Sequence, residues 1–160
     1  MSTMIWGYIR STDITDLSFY QDFNFKVVET CVHNRFGISF QLPPWIPSAE
    51  IDRAVSIPFI ISNNFLSFNC DRFMEPIYWP KNMPPTFNNL KEDIRKIYDL
   101  FQTFFSFESV KEINLYITDG DTDLCEYKSI HVSLLDTPAV IFEEYYHAKW
   151  IPTIHLIIRR

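Results

Sequence analysis

Seven apolar residues, Leu90, Ile94, Ile97, Tyr98, Phe101, Phe104 and Phe105, recur at offsets 0, 4, 7, 8, 11, 14 and 15. At 3.6 residues per turn they form one stripe, while Lys91, Glu92, Asp93, Arg95, Lys96 and Asp99 fall on other faces. The pattern predicts an amphipathic helix over about 89–106, with Asn89 and Glu92 as a capping-box variant. A helix with one apolar side must lay it on another element, and most of the remaining chain reads as strands.

Those strands show as period-two alternation. Phe25, Val27, Glu29 and Cys31 alternate with Lys26, Val28, Thr30 and Val32, and Phe36, Ile38, Phe40 and Leu42 alternate beyond His33-Asn34-Arg35. This predicts a β-hairpin over Phe25–Leu42, ended by the prolines at 43, 44 and 47. Further strands are expected at Met4–Arg10, Ala54–Ile61, Phe65–Asn69, Val110–Thr118 and Tyr127–Leu135. Pro76–Pro85, with four prolines, reads as an extended connection. Pro138, after Asp136 or Thr137 as cap, should open a shorter helix over about 138–148. Thr153–Ile158 is apolar on both sides and belongs inside a sheet. The sum is an α+β fold in which one twisted, mostly antiparallel sheet carries a long and a short helix. The 160 residues are most simply one globular domain, 1–160.

Composition removes several function classes. Only Gly7, Gly37 and Gly120 occur, so neither of the familiar glycine-rich phosphate loops is present. Twenty acidic against 14 basic residues give a formal charge of −6, which disfavours a general nucleic-acid binder and allows a basic protein partner. The sequence shows neither a signal-peptide pattern nor an apolar run long enough to span a membrane, so a cytoplasmic protein is expected. Cys31, Cys70 and Cys125 are too scattered for a disulfide framework or a zinc site and read as reduced thiols.

Candidate chemistry is sparse. Ile5–Asp13, "IWGYIRSTD", resembles the opening strand of the small serine recombinases, which carries a Tyr-x-Arg and then the nucleophilic Ser. In that family a residue separates Arg from Ser; here Arg10 and Ser11 are adjacent and should face opposite ways, so Ser11 is not expected to act as a nucleophile. Asp119, Asp121 and Asp123 match the first ligand positions of an EF-hand loop, but Leu124 and Ile130 stand where Gly and Glu are required, so no metal is expected. With Glu126 these residues form a concentrated negative patch, suited to steering a cationic partner. Glu143 and His147 should pair along a helix face, and the adjacent carboxylates Glu143 and Glu144 should diverge around it. The other histidines, His33, His131 and His155, are dispersed, and no Cys–His or Ser–His pair can be picked from spacing.

In overall character the chain resembles the immunity proteins of bacterial toxin–immunity systems, including contact-dependent growth inhibition. The resemblance is one of type, carried by the acidic loop Asp119–Glu126 together with Glu143 and Glu144. It implies a non-enzymatic cytoplasmic inhibitor, without cofactor or metal, that occludes a basic nuclease toxin. Asp119, Asp121, Asp123, Glu126, Glu143 and Glu144 would be its contact residues. A small hydrolase with a His-based site and a structural or host-interaction protein are the alternatives.

Overall fold

The computed structural model describes residues 4–61, 88–118, 127–147 and 152–160. Its chain order is β1 (Met4–Ser11), α1 (Leu17–His33), β2 (Ile38–Ser39), β3 (Ser56–Ile61), α2 (Asn88–Phe105), β4 (Val110–Thr118), β5 (Lys128–Ser133), α3 (Thr137–His147) and β6 (Ile154–Arg159). The six strands form one sheet in the order β2-β3-β1-β4-β6-β5. Four neighbouring pairs are antiparallel and β5–β6 is parallel, with α3 as the crossover between them. The α+β expectation is therefore met, and β6 lies inside the sheet as its two apolar faces required.

Strand alternation sorts the side chains into two layers. Ile5 and Ile9 of β1, Ile57, Phe59 and Ile61 of β3, Ile113, Leu115 and Ile117 of β4, and Ile154, Leu156 and Ile158 of β6 share one core with all three helices. Into it α2 sends Leu90, Ile94, Ile97, Phe101 and Phe104, the stripe read from the sequence. Tyr98 is only half-buried, and Leu100 takes a fully buried place beside the stripe. The helix starts at Asn88, so Asn89 lies within its first turn. In α3, Thr137 precedes Pro138 as the first helical residue, and Val140 donates its N–H to the Asp136 carbonyl at 3.0 Å.

The opposite face of the sheet, called the outer face below, carries a smaller cluster. Trp6 and Tyr116 are covered there by Ile46 and Ile51 from the β2–β3 connection and by Tyr127. A turn of 3-10 helix, Ser48–Glu50, shapes that connection.

The hairpin expected over Phe25–Leu42 is not formed; its first half lies in α1. Asp16 caps this helix by accepting hydrogen bonds from Ser18 N at 2.9 Å and Phe19 N at 3.4 Å. Phe23, Val27 and Cys31, spaced by four, face the core. Apolar residues at Leu17, Phe25, Val28 and Val32 lie instead on the exposed side. Two apolar stripes on one helix interleave into an apparent period of two, which is what imitated a strand. The helix ends where Arg35 N donates to Val32 O and Phe36 N to Cys31 O, with Arg35 at φ 62, a Schellman ending without its usual glycine. Of the second half only Ile38–Ser39 pairs, with β3. The expected strand at Phe65–Asn69 and the proline stretch Pro76–Pro85 lie outside the described residues.

Candidate functional site

Cross-strand register gathers the polar residues of the outer face into one continuous lane. Arg10 is paired with Glu112, Tyr8 with Asn114, and Trp6 with Tyr116 across β1 and β4. Next to β4, β6 pairs His155 with Tyr116 and Ile157 with Asn114. Beyond it, Ser129 and His131 of β5 lie beside His155 and Ile157. Residues far apart in sequence therefore become neighbours about 5 Å apart across the sheet.

The anchor of the lane is Glu112, which is buried. Its Oε1 accepts from Asn114 Nδ2 at 2.9 Å, and its Oε2 accepts from Arg159 Nε at 2.9 Å, with Arg159 Nη2 at 2.8 Å. Arg10 approaches from the other side at 3.9 Å. Burial alone would push the Glu112 carboxyl up, but the hydrogen bonds and the guanidinium charges outweigh it and hold it below the ordinary carboxylate range.

An ionised Glu112 can only accept, so Asn114 must turn its amide N–H toward it and its carbonyl oxygen away. That oxygen lies 2.8 Å from His155 Nε2, which must therefore carry the ring proton. Nδ1 of the neutral ring is then an acceptor, and Ser129 Oγ lies 3.1 Å from it. Burial pushes the His155 imidazole down to about 4, so it is neutral at physiological pH. One carboxylate thus fixes an amide, a tautomer and a hydroxyl in series.

The same strands stack three rings. Trp6, Tyr116 and His155 lie parallel, with 4.1 Å between successive centroids and 6° between planes, and Tyr127 meets Tyr116 edge-on at 5.0 Å.

A second surface lies on the helical side. Leu17, Phe25 and Val32 of α1 are each 70% exposed and Val28 is 44% exposed, so a helix already packed on the core presents a further apolar stripe to solvent. Beside it, a groove between α1 and α2 is lined by Lys26, Glu29, His33, Asp99, Gln102 and Thr103. Thr30 and Thr103 join the two helices through their hydroxyls at 2.7 Å.

The residues expected to contact a partner fare differently. Asp119, Asp121, Asp123 and Glu126 lie outside the described residues. Glu143 is exposed and meets His147 at 3.1 Å, the helix-face pair expected from their spacing. Glu144 diverges from it and binds Lys128 at 3.0 Å, tying α3 to β5. Ser11 is buried, donating to Ser109 Oγ at 3.1 Å, while Arg10 emerges on the outer face, so the two do diverge as their adjacency required. Cys31 is a buried free thiol that burial pushes up to about 12, and Cys70 and Cys125 fall outside the described residues. Among the described residues no group of three His, Cys, Asp or Glu side chains could hold a metal ion, and no helix is long and apolar enough to cross a membrane.

What the sequence reading missed is the Glu112–Asn114–His155–Ser129 series and the exposed stripe of α1. The only local signal for the first was polar residues at alternate positions of otherwise apolar strands. Comparison with protein families, with curated proteins and with solved structures returned no match, so the functional reading rests on these two surfaces.

Proposed function

We propose that this protein is an inhibitor-type interaction protein that holds a basic protein partner, of the kind represented by a toxin nuclease domain, against α1. The observation that carries this reading is the exposed stripe of Leu17, Phe25, Val28 and Val32. Large side chains exposed in a row on a well-capped helix are a helix-in-groove anchor awaiting a cover. Their surroundings select for positive charge: between residues 13 and 35 there are four carboxylates, Asp13, Asp16, Asp22 and Glu29, against the two fixed cations Lys26 and Arg35. The chain as a whole carries −6. Apolar anchors would supply most of the affinity and the acidic field most of the association rate. The acidic residues Asp119, Asp121, Asp123 and Glu126, with Glu143, would add to that field.

The test is co-expression with the polypeptide encoded immediately upstream. Wild type should relieve its toxicity, and Phe25→Asp with Val32→Asp should not, although both positions are exposed and the double variant should fold normally. Asp119, Asp121 and Asp123 changed together to Asn should slow association and flatten its salt dependence. Equal protection by the α1 variant would remove α1 as the contact surface, and an upstream product that neither harms cells nor binds this chain would remove the inhibitor reading.

A second reading, a small hydrolase, is favoured by one observation: Ser129 Oγ is within hydrogen-bond reach of a His155 nitrogen whose tautomer is fixed by Asn114. Ser129 Oγ would form the bond to an acyl carbon while its proton passes to His155 Nδ1 and then to the leaving group, and water would release the acyl group. An imidazole at about 4 is a weak base for this step, which is why the reading stands second. A fluorophosphonate probe should modify Ser129 and lose that reactivity in His155→Ala; labelling no faster than at other exposed serines would exclude it.

A further inference from the structure

The lane ends in a basic pocket that neither functional reading uses. At the Arg10 end of β1, Arg10, Thr12, Val55, Lys111, Glu112 and Arg159 surround a cavity of about 480 Å³. Three cations and one carboxylate leave a formal charge of +2, on a protein that carries −6 overall. Glu112 is the one carboxylate among the described residues lining the cavity, and both of its oxygens already accept hydrogen bonds, from Asn114 and Arg159. Arg10 stays 3.9 Å from Glu112, beyond hydrogen-bond reach, so its planar set of donors is uncommitted among the described residues and faces the cavity. Lys111 spends one donor on the Glu108 carbonyl at 2.9 Å, leaving two. Arg159 uses Nε and Nη2 on Glu112, which leaves Nη1 free.

We infer that this pocket binds the terminal phosphate of a small phosphomonoester, with Arg10 as the principal contact and Arg159 and Lys111 completing the charge. A phosphomonoester carries about −1.5 to −2 at neutral pH and three acceptor oxygens, matching both the surplus charge and the unspent donors. The buried carboxylate holds Arg159 in place beforehand, so little side-chain entropy is lost on binding there. Val55 offers an apolar contact to the remainder of the ligand.

Titration of the full chain with phenyl phosphate, followed by calorimetry and by amide shifts, tests this assignment. Shifts should gather at Arg10, Thr12, Lys111 and Arg159, and benzenesulfonate, a monoanion of similar shape, should bind at least about fivefold more weakly. Arg10→Gln should weaken phenyl phosphate at least about tenfold, while Arg95→Gln on α2 should not alter it. Lys111→Gln, which removes one of the three cations and leaves the Glu112–Arg159 pair in place, should weaken it about threefold or more. The assignment is overturned if Arg10→Gln binds as wild type does, if the monoanion binds equally well, or if a single-stranded oligonucleotide binds where phenyl phosphate does not. Arg10→Gln is the deciding variant, since Arg10 is half-exposed and its loss leaves the Glu112–Arg159 pair intact.

Discussion

Tyr116 and His155 lie face to face across β4 and β6, and Trp6 covers the other side of Tyr116 from β1. Trp6 is fully buried in this stack and donates from Nε1 toward Tyr127 Oη at 3.5 Å. Trp6→Ala should therefore cost ~3–5 kcal/mol in urea unfolding, and Ser11→Ala, which removes a hydroxyl that donates to Ser109 Oγ and accepts from Asp13 N, about 1 kcal/mol. A loss below ~1 kcal/mol for Trp6→Ala would mean that the outer face closes without the stack.

His155 and Asp93 should give opposite pH slopes in one range. Folding lowers His155 from 6.5 to about 4, so the unfolded chain takes up that proton first and stability is lost as pH falls through this interval. Folding raises Asp93, buried with Oδ2 unpaired, from 3.8 to about 6, so its contribution is complete below 3.8 and is lost as pH rises toward 6. In the native chain the two slopes offset each other. Asp93→Asn should add ~1–3 kcal/mol at pH 7 and uncover the His155 slope, while His155→Gln should uncover the Asp93 slope. Denaturant midpoints at about pH 4.5, 5.5 and 7 read both, and parallel profiles in the two variants would contradict the assignment.

Gly7 is required by packing. A Cβ there would sit 2.0 Å from the Asn114 carbonyl oxygen and 2.9 Å from the Phe59 ring. Because the first of these is backbone in the central strand pair, relief means parting β1 from β4. Gly7→Ala should lower stability by ~3 kcal/mol or more and disturb Asn114, hence His155. Amide exchange along β4 would report it, and a native exchange pattern would refute it.

Arg35 occupies the left-handed ending of α1 at φ 62, which costs an ordinary side chain about 1–2 kcal/mol that glycine avoids. Arg35→Gly, after its larger unfolded-state entropy is set against this, should stabilise by ~0.5–1 kcal/mol. A thermal midpoint below that of the native chain would show that the Arg35 side chain contributes more than its backbone strain removes.

The fold was legible where one local signal dominated. The stripe from Leu90 to Phe105 specified α2 because every apolar position on it could point one way. β4 announced itself by alternation, and β6 by being apolar on both faces. α1 defeated the same reasoning, since Phe23, Val27 and Cys31 face the core while Phe25, Val28 and Val32 face solvent. Local periodicity records which residues are apolar and carries no mark of which of them the protein will bury.

By itself, then, the sequence determined the α+β class, the long helix, the interior place of β6 and the outward divergence of Arg10 from Ser11. Tertiary structure decided that residues 17–33 form a helix rather than pair as a strand, because the sheet offered an apolar face on which Phe23 and Val27 could be buried. It alone decided the lane from Glu112 to Ser129, whose members lie 41 and 26 positions apart at its two histidine contacts. Such contacts are set by strand order and register, which no short window of sequence contains.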